Sequence, residues 1–276
     1  MNKYIVCTII ALTVTVKMHS QDIPDSVHMF ENRLIRLFDK LYTEKDETSQ
    51  DAYSDSITQL ISQTVRLKDH FLYPFDTLRR MGKISSDDKQ VRIFTWNVPL
   101  DFGRSRYYGL IARYNRKNKD ISFFPLKNYP GDIENENTRI LDTEHWPGAL
   151  YYEIIDFKSE GKTSYVLLGF NLGDILTNKK YIDILDFEET GSPRFGKNIF
   201  VAEGKKQTRM IFTYSEKTAM SLTYNKHLKM IIFDHLSPDR PSLTGQYQFY
   251  GPDLSFDGLK FEDNSWGLIK DIEVTN

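Results

Sequence analysis

The chain has 276 residues, with 36 Lys and Arg against 38 Asp and Glu, and is 40% hydrophobic and 27% charged. That balance excludes wholesale disorder and lacks the basic excess that phosphate binding demands, so no nucleic-acid partner is expected. The length suits one large domain or two small ones.

The first twenty residues read as an export signal. Lys3 gives a short positive start, residues 4–16 carry no charge, and Ser20 is a small residue suited to cleavage. An apolar stretch of this length matches a signal and falls short of the roughly 20 residues a membrane helix needs. Cys7 lies near the start of the stretch, whereas a lipid-anchored protein carries its Cys at the end. Cleavage after Ser20 would remove this single Cys. Residues 21–276 would then have no disulfide, no thiol nucleophile and no Cys-bound metal. No transmembrane span is expected in the mature chain.

Glycine divides the chain. Residues 1–81 contain none, and all 15 fall between Gly82 and Gly267. Glycine is disfavoured inside helices and favoured in turns, so the pattern predicts a helical segment over 21–81 and a turn-rich β body over 82–276. In the front segment Val27, Phe30, Leu34, Leu37, Phe38 and Leu41 mark one helix face. The polar stretch 43–55 reads as a loop. Ile57, Leu60, Ile61 and Thr64 mark a second helix that ends before Tyr73 and Pro74.

Eleven or twelve short strands are predicted beyond Gly82. They cover 91–98, 106–114, 121–125, 150–157, 164–171, 181–187, 209–214, 219–224, 229–234, 256–261 and 266–272, with hairpin turns near 159–162 and 262–265. No helical segments separate them, so the pairing should be mainly antiparallel. The expected fold is α+β: an N-terminal helical hairpin on a curved sheet, barrel or sandwich.

Five stretches carry a resemblance: 91–99, 146–155, 177–185, 229–236 (Lys-Met-Ile-Ile-Phe-Asp-His-Leu) and 245–253 (Gly-Gln-Tyr-Gln-Phe-Tyr-Gly-Pro-Asp). Together they resemble a group of uncharacterised exported proteins of the Bacteroidetes. The resemblance implies bacterial export, to the periplasm or the medium, and one architectural unit. It implies no activity.

Chemistry-bearing motifs are few. Residues 191–198 approach a phosphate-binding loop, but Asn198 stands where Ser or Thr is needed, and a strand-like run comes after it instead of a helix. Ser-x-x-Lys occurs at Ser86–Lys89 and Ser159–Lys162, both in turn sequence, where Lys cannot stand one helical turn from Ser. No two His are spaced as metal ligands, and no cofactor motif is present. The densest set of acids is C-terminal: Asp234, Asp239, Asp253, Asp257 and Glu262. Paired carboxylates hydrolyse glycosides when one is held protonated. Asp234, His235, Asp253 and Asp257 are therefore the catalytic candidates, set against a plain role in Asx turns. Tyr107, Trp146 and Tyr250, with Tyr108, Tyr151, Tyr152, Tyr247 and Phe249, could form a sugar-stacking platform or fill the core. The leading expectation is non-catalytic binding of a glycan, a peptide or an envelope protein. A hydrolase of envelope or dietary polymers is the alternative.

Overall fold

A computed structural model of the chain describes residues 25–273 apart from 68, 69, 101, 102, 130, 132 and 203. The expected signal segment lies outside the described residues. The fold is α+β, with two α-helices followed by fifteen strands in three sheets among the described residues.

The helices are α1 (Asp25–Thr43) and α2 (Glu47–Arg66). Helix α2 starts within the stretch expected to be a loop. Asp46 caps it, its carboxylate accepting from Ser49 N at 2.8 Å. The first turns bury Gln50 and Ser54 in place of apolar residues, so hydrophobic period alone cannot detect them. Ser54 Oγ accepts from Trp96 Nε1 at 3.3 Å, which satisfies an otherwise orphaned indole.

The first sheet runs β1 (Gly82–Ser85), β2 (Val91–Pro99), β3 (Ser105–Asn115) and β4 (Asp120–Lys127). The second contains β5 (Leu150–Ser159), β6 (Lys162–Asn171), β7 (Thr177–Phe187) and β11 (Met210–Ser215), with short β8 (Pro193–Phe195) paired to β7. The third contains β9 (Phe200–Ala202), β10 (Lys205–Gln207), β12 (Leu222–Asn225), β13 (Met230–Pro238), β14 (Tyr250–Glu262) and β15 (Ser265–Ile269). Pairing is antiparallel except where β15 joins β9 in parallel, with Trp266 opposite Phe200. The short strands β1, β8, β9 and β10 account for the excess over the expected count.

Three apolar cores separate four layers. Helix residues Leu34, Phe38, Leu41, Ile57 and Ile61 pack on Phe94, Trp96, Tyr108 and Leu110 of the first sheet. Val91, Ile93, Tyr107 and Ile111 on its other face meet Tyr151, Leu167, Tyr181 and Leu185 of the second sheet. The far face of that sheet, with Ile155, Phe157, Val166 and Leu168, packs on Phe200, Ile231, Phe233, Leu259 and Trp266 of the third. Strands β2 and β6 are covered on both faces, which explains their continuous runs of buried residues, Val91–Trp96 and Ser164–Gly169.

A buried ion pair holds the second sheet. Arg209 Nε lies 3.1 Å from Asp183 Oδ2, with side-chain exposures of 0% and 1%. The guanidinium also donates to the carbonyls of Glu136, Arg139 and Phe195. These bonds stitch the 128–149 connection to β7 and β8.

Candidate functional site

Two register breaks interrupt the sheets, and each turns a strand residue into surface chemistry. The first is in β5. Tyr151 pairs with Gly169 and Glu153 with Leu168, which leaves Tyr152 as the extra residue of a β-bulge. The residues themselves require it. Tyr151 packs between the first and second sheets, while Ile155 and Phe157 pack between the second and third. In a regular strand these odd-numbered residues would share one face. One added residue reverses the alternation and satisfies both cores.

The bulge puts Tyr152 outward, 41% exposed. Its hydroxyl donates to the Leu222 carbonyl at 2.9 Å, and Lys180 Nζ stands 5.0 Å from its ring centroid. Burial pushes the Lys180 ammonium below its ordinary pKa. Three clefts converge on this ring, of about 570, 360 and 240 Å³. The first runs toward Arg79 and Leu150, the second contains Lys180, Phe170 and Met220, and the third contains Glu153, Tyr224 and Lys226.

The neighbouring edge of β5 is already occupied. Tyr151 N donates to Thr95 Oγ1 at 3.1 Å. Gly82 lets β1 approach: a Cβ there would lie 2.8 Å from Thr95 Oγ1 and 3.1 Å from the Tyr151 carbonyl oxygen. Two β5 acids accept backbone donors, Glu153 from Tyr224 N and Asp156 from Asp87 N and Asp88 N. Burial raises the pKa of both carboxyls.

The second break lies between β13 and β14. Asp234 pairs with Phe256 and Leu236 with Pro252, so His235 faces three unpaired residues, Asp253 to Ser255. His235 Nδ1 is 2.7 Å from Asp257 Oδ2. Asp257 is 5% exposed, and its second oxygen accepts from Asp271 N at 3.1 Å. The hydrogen bond to Asp257 raises the His235 pKa, and Asp253 and Asp271 add to it. Asp253 is held below the usual carboxylate range by the Ser255 hydroxyl at 2.8 Å. Leu254 stands 92% exposed with φ +75°, in a left-handed conformation that a Leu rarely adopts.

The fold thus brings together His235, Asp257 and Asp253 of the expected catalytic set. Asp234 is directed elsewhere: its carboxylate accepts from Ser221 N at 2.6 Å, capping the neighbouring strand. The two expected stacking residues Tyr107 and Trp146 are buried, at 2% and 0% exposure, and present no ring to a ligand. Tyr107 Oη accepts from Leu172 N at 2.7 Å, and Trp146 Nε1 donates to Tyr151 Oη at 3.0 Å, so both are core residues with satisfied polar ends. Tyr250 is half-buried, with its hydroxyl accepting from Gly245 N. Tyr247–Phe249 form a 3-10 turn that leads into β14.

A further cleft, of about 320 Å³, is lined by Arg104, Arg106, Glu136 and Lys179. Burial raises the Glu136 pKa. Neither this acid nor Lys180 belongs to a motif, so spacing could not single them out. Among the described residues no group of three or more His, Cys, Asp or Glu is placed to hold a metal ion, and no helix is long and apolar enough to cross a membrane. Comparison with known proteins finds no matching family model, no matching curated protein and no matching solved structure.

Proposed function

We propose that this is an exported bacterial protein that binds a glycan, without chemistry, in the clefts around Tyr152. The observation that carries the reading is the bulged, exposed aromatic at the meeting point of three clefts, fixed by its own hydroxyl. A rigid aromatic face with a few placed polar groups is what a sugar ring requires, since its C–H face stacks and its hydroxyls need partners. The occupied edge of β5 argues against a peptide binding as an added strand. Export rests on the amino-terminal sequence and the resemblance to exported Bacteroidetes proteins. Screening immobilised glycans with wild-type protein and Tyr152→Ala tests the binding reading. Glycan retention that vanishes in the variant, with unchanged melting, is expected; retention that survives Tyr152→Ala defeats it. Amino-terminal sequencing of the protein recovered outside the cytoplasm should begin at Gln21.

The His235–Asp257 pair favours a second reading, a polymer hydrolase. Asp257 orients the imidazole as a buried acid orients a catalytic base. The glycosidase version needs a carboxyl kept protonated, and Asp253 is biased toward the ionised form. Polymer cleavage by the wild type that His235→Ala abolishes would establish this reading.

A further inference from the structure

We propose that the clefts around Tyr152 take an acidic polysaccharide, a chain whose sugars carry carboxylates, with Lys180 as the contact for a carboxylate beside the stacked ring. This rests on the glycan reading above and adds the ligand's charge. Each cleft contributes a cation: Lys180 in the second, Lys226 in the third and Arg79 in the first, where Arg80 pairs with Asp39 and Lys83 donates to the Phe75 and Leu78 carbonyls. Arg79 and Lys226 are exposed, and neither forms a salt bridge among the described residues.

The acids nearby are largely committed to the fold. Glu153 accepts from Tyr224 N at 3.2 Å, and Asp234, which acts electrostatically on Lys180, accepts from Ser221 N. Asp87 and Glu153 both line the third cleft, and Glu153 acts electrostatically on Lys226, so an anion meets more opposition there than beside Lys180. Lys180 is half-buried and stands over the ring at 5.0 Å. A carboxylate arriving there would offset the cost of keeping that ammonium out of water. The cations lie in three clefts that meet at one ring, which fits a polymer with charges spaced by sugar rings. Nucleic acid, with its dense phosphates, draws on a basic excess that this chain of net charge −2 lacks.

The test uses the mature protein in affinity electrophoresis and titration calorimetry. Probes are polygalacturonate, alginate and hyaluronan, with methyl-esterified polygalacturonate as the uncharged match. Polyglutamate and oligothymidylate report the other polyanion classes. At least one acidic polysaccharide should bind, and the ester should bind about tenfold more weakly than polygalacturonate if the latter is the ligand. Raising salt from about 30 to about 300 mM should weaken binding to the acidic polymer. Lys180→Gln should lower affinity for the acidic polymer and leave the ester unchanged, whereas Tyr152→Ala should lower both. Binding of neutral glycans that equals or exceeds that of all three acids overturns the charge assignment and leaves the glycan reading standing. No binding of any glycan sinks both. Polyglutamate or oligothymidylate binding as tightly as the sugars overturns the polysaccharide assignment.

Discussion

The two register breaks differ in what forces them and in what they expose. The β5 bulge is dictated by the interior, because Tyr151 and Ile155 must lie on opposite faces of one sheet. It exposes an aromatic ring among cations. The break opposite His235 inserts three unpaired residues and exposes an aliphatic side chain among carboxylates. The first extends the logic of the core to the surface. The second holds Leu254 in an unfavourable conformation with its side chain almost fully exposed. A break required by packing and a break held against local preference should respond differently to mutation.

The interior sets the scale for that contrast. Arg209→Met should leave Asp183 as an uncompensated buried charge and cost about 3–5 kcal/mol, measured by urea unfolding. If the pair were dispensable, the midpoint would barely move. Asp257→Ala strands His235 Nδ1 and the Asp271 amide and should cost about 1–3 kcal/mol. The same pair carries a pH signature. His235 titrates higher in the folded state, so its contribution is fully present below its unfolded pKa and is lost as pH rises through the raised value. Wild type and His235→Gln should therefore differ most in stability at mildly acidic pH and converge in alkali.

Deleting Tyr152 is the sharpest test of the first break. The residues on either side keep their partners, Tyr151 with Gly169 and Glu153 with Leu168, and Ile155 keeps its face. The shortened chain should fold with its cores unchanged by near-ultraviolet circular dichroism and lose glycan binding. Collapse of the tertiary signal would show that the bulge itself is needed for folding. Leu254→Gly should have the smallest effect. It removes left-handed strain of about 1–2 kcal/mol and adds unfolded-chain entropy worth about 0.5–1 kcal/mol. A small rise in melting temperature is expected, and a fall would mean that Leu254 makes a stabilising contact.

Much of the fold is legible in the sequence because burial on one face or both leaves a period. The glycine boundary at Gly82 falls at the first strand, and the hairpin turns at Glu160–Gly161 and Asp263–Asn264 take left-handed conformations. The start of α2 is hidden because Gln50 and Ser54 are buried as polar residues. The site is less legible. Tyr151 and Tyr152 look alike in the chain, and only the bulge separates a core ring from an exposed one. Asp257 and His235 both stand out in the sequence, but their contact spans two strands across a break that no spacing rule anticipates. Lys180 sits in the run Asn178 to Tyr181, with nothing local to distinguish it from a solvated lysine.

The parallel pairing of β9 with β15 has a consequence in time. Strand β9 finds this partner only in Trp266 and Gly267, near the end of the chain. Until those residues are available, the third sheet lacks its central strand, and the apolar face carrying Ile155 and Val166 has no complete cover. Such long-range closure is slow because the intervening loop entropy must be overcome first. The third sheet is thus the last of the three that the growing chain can complete, after the residues of the first two cores are already made.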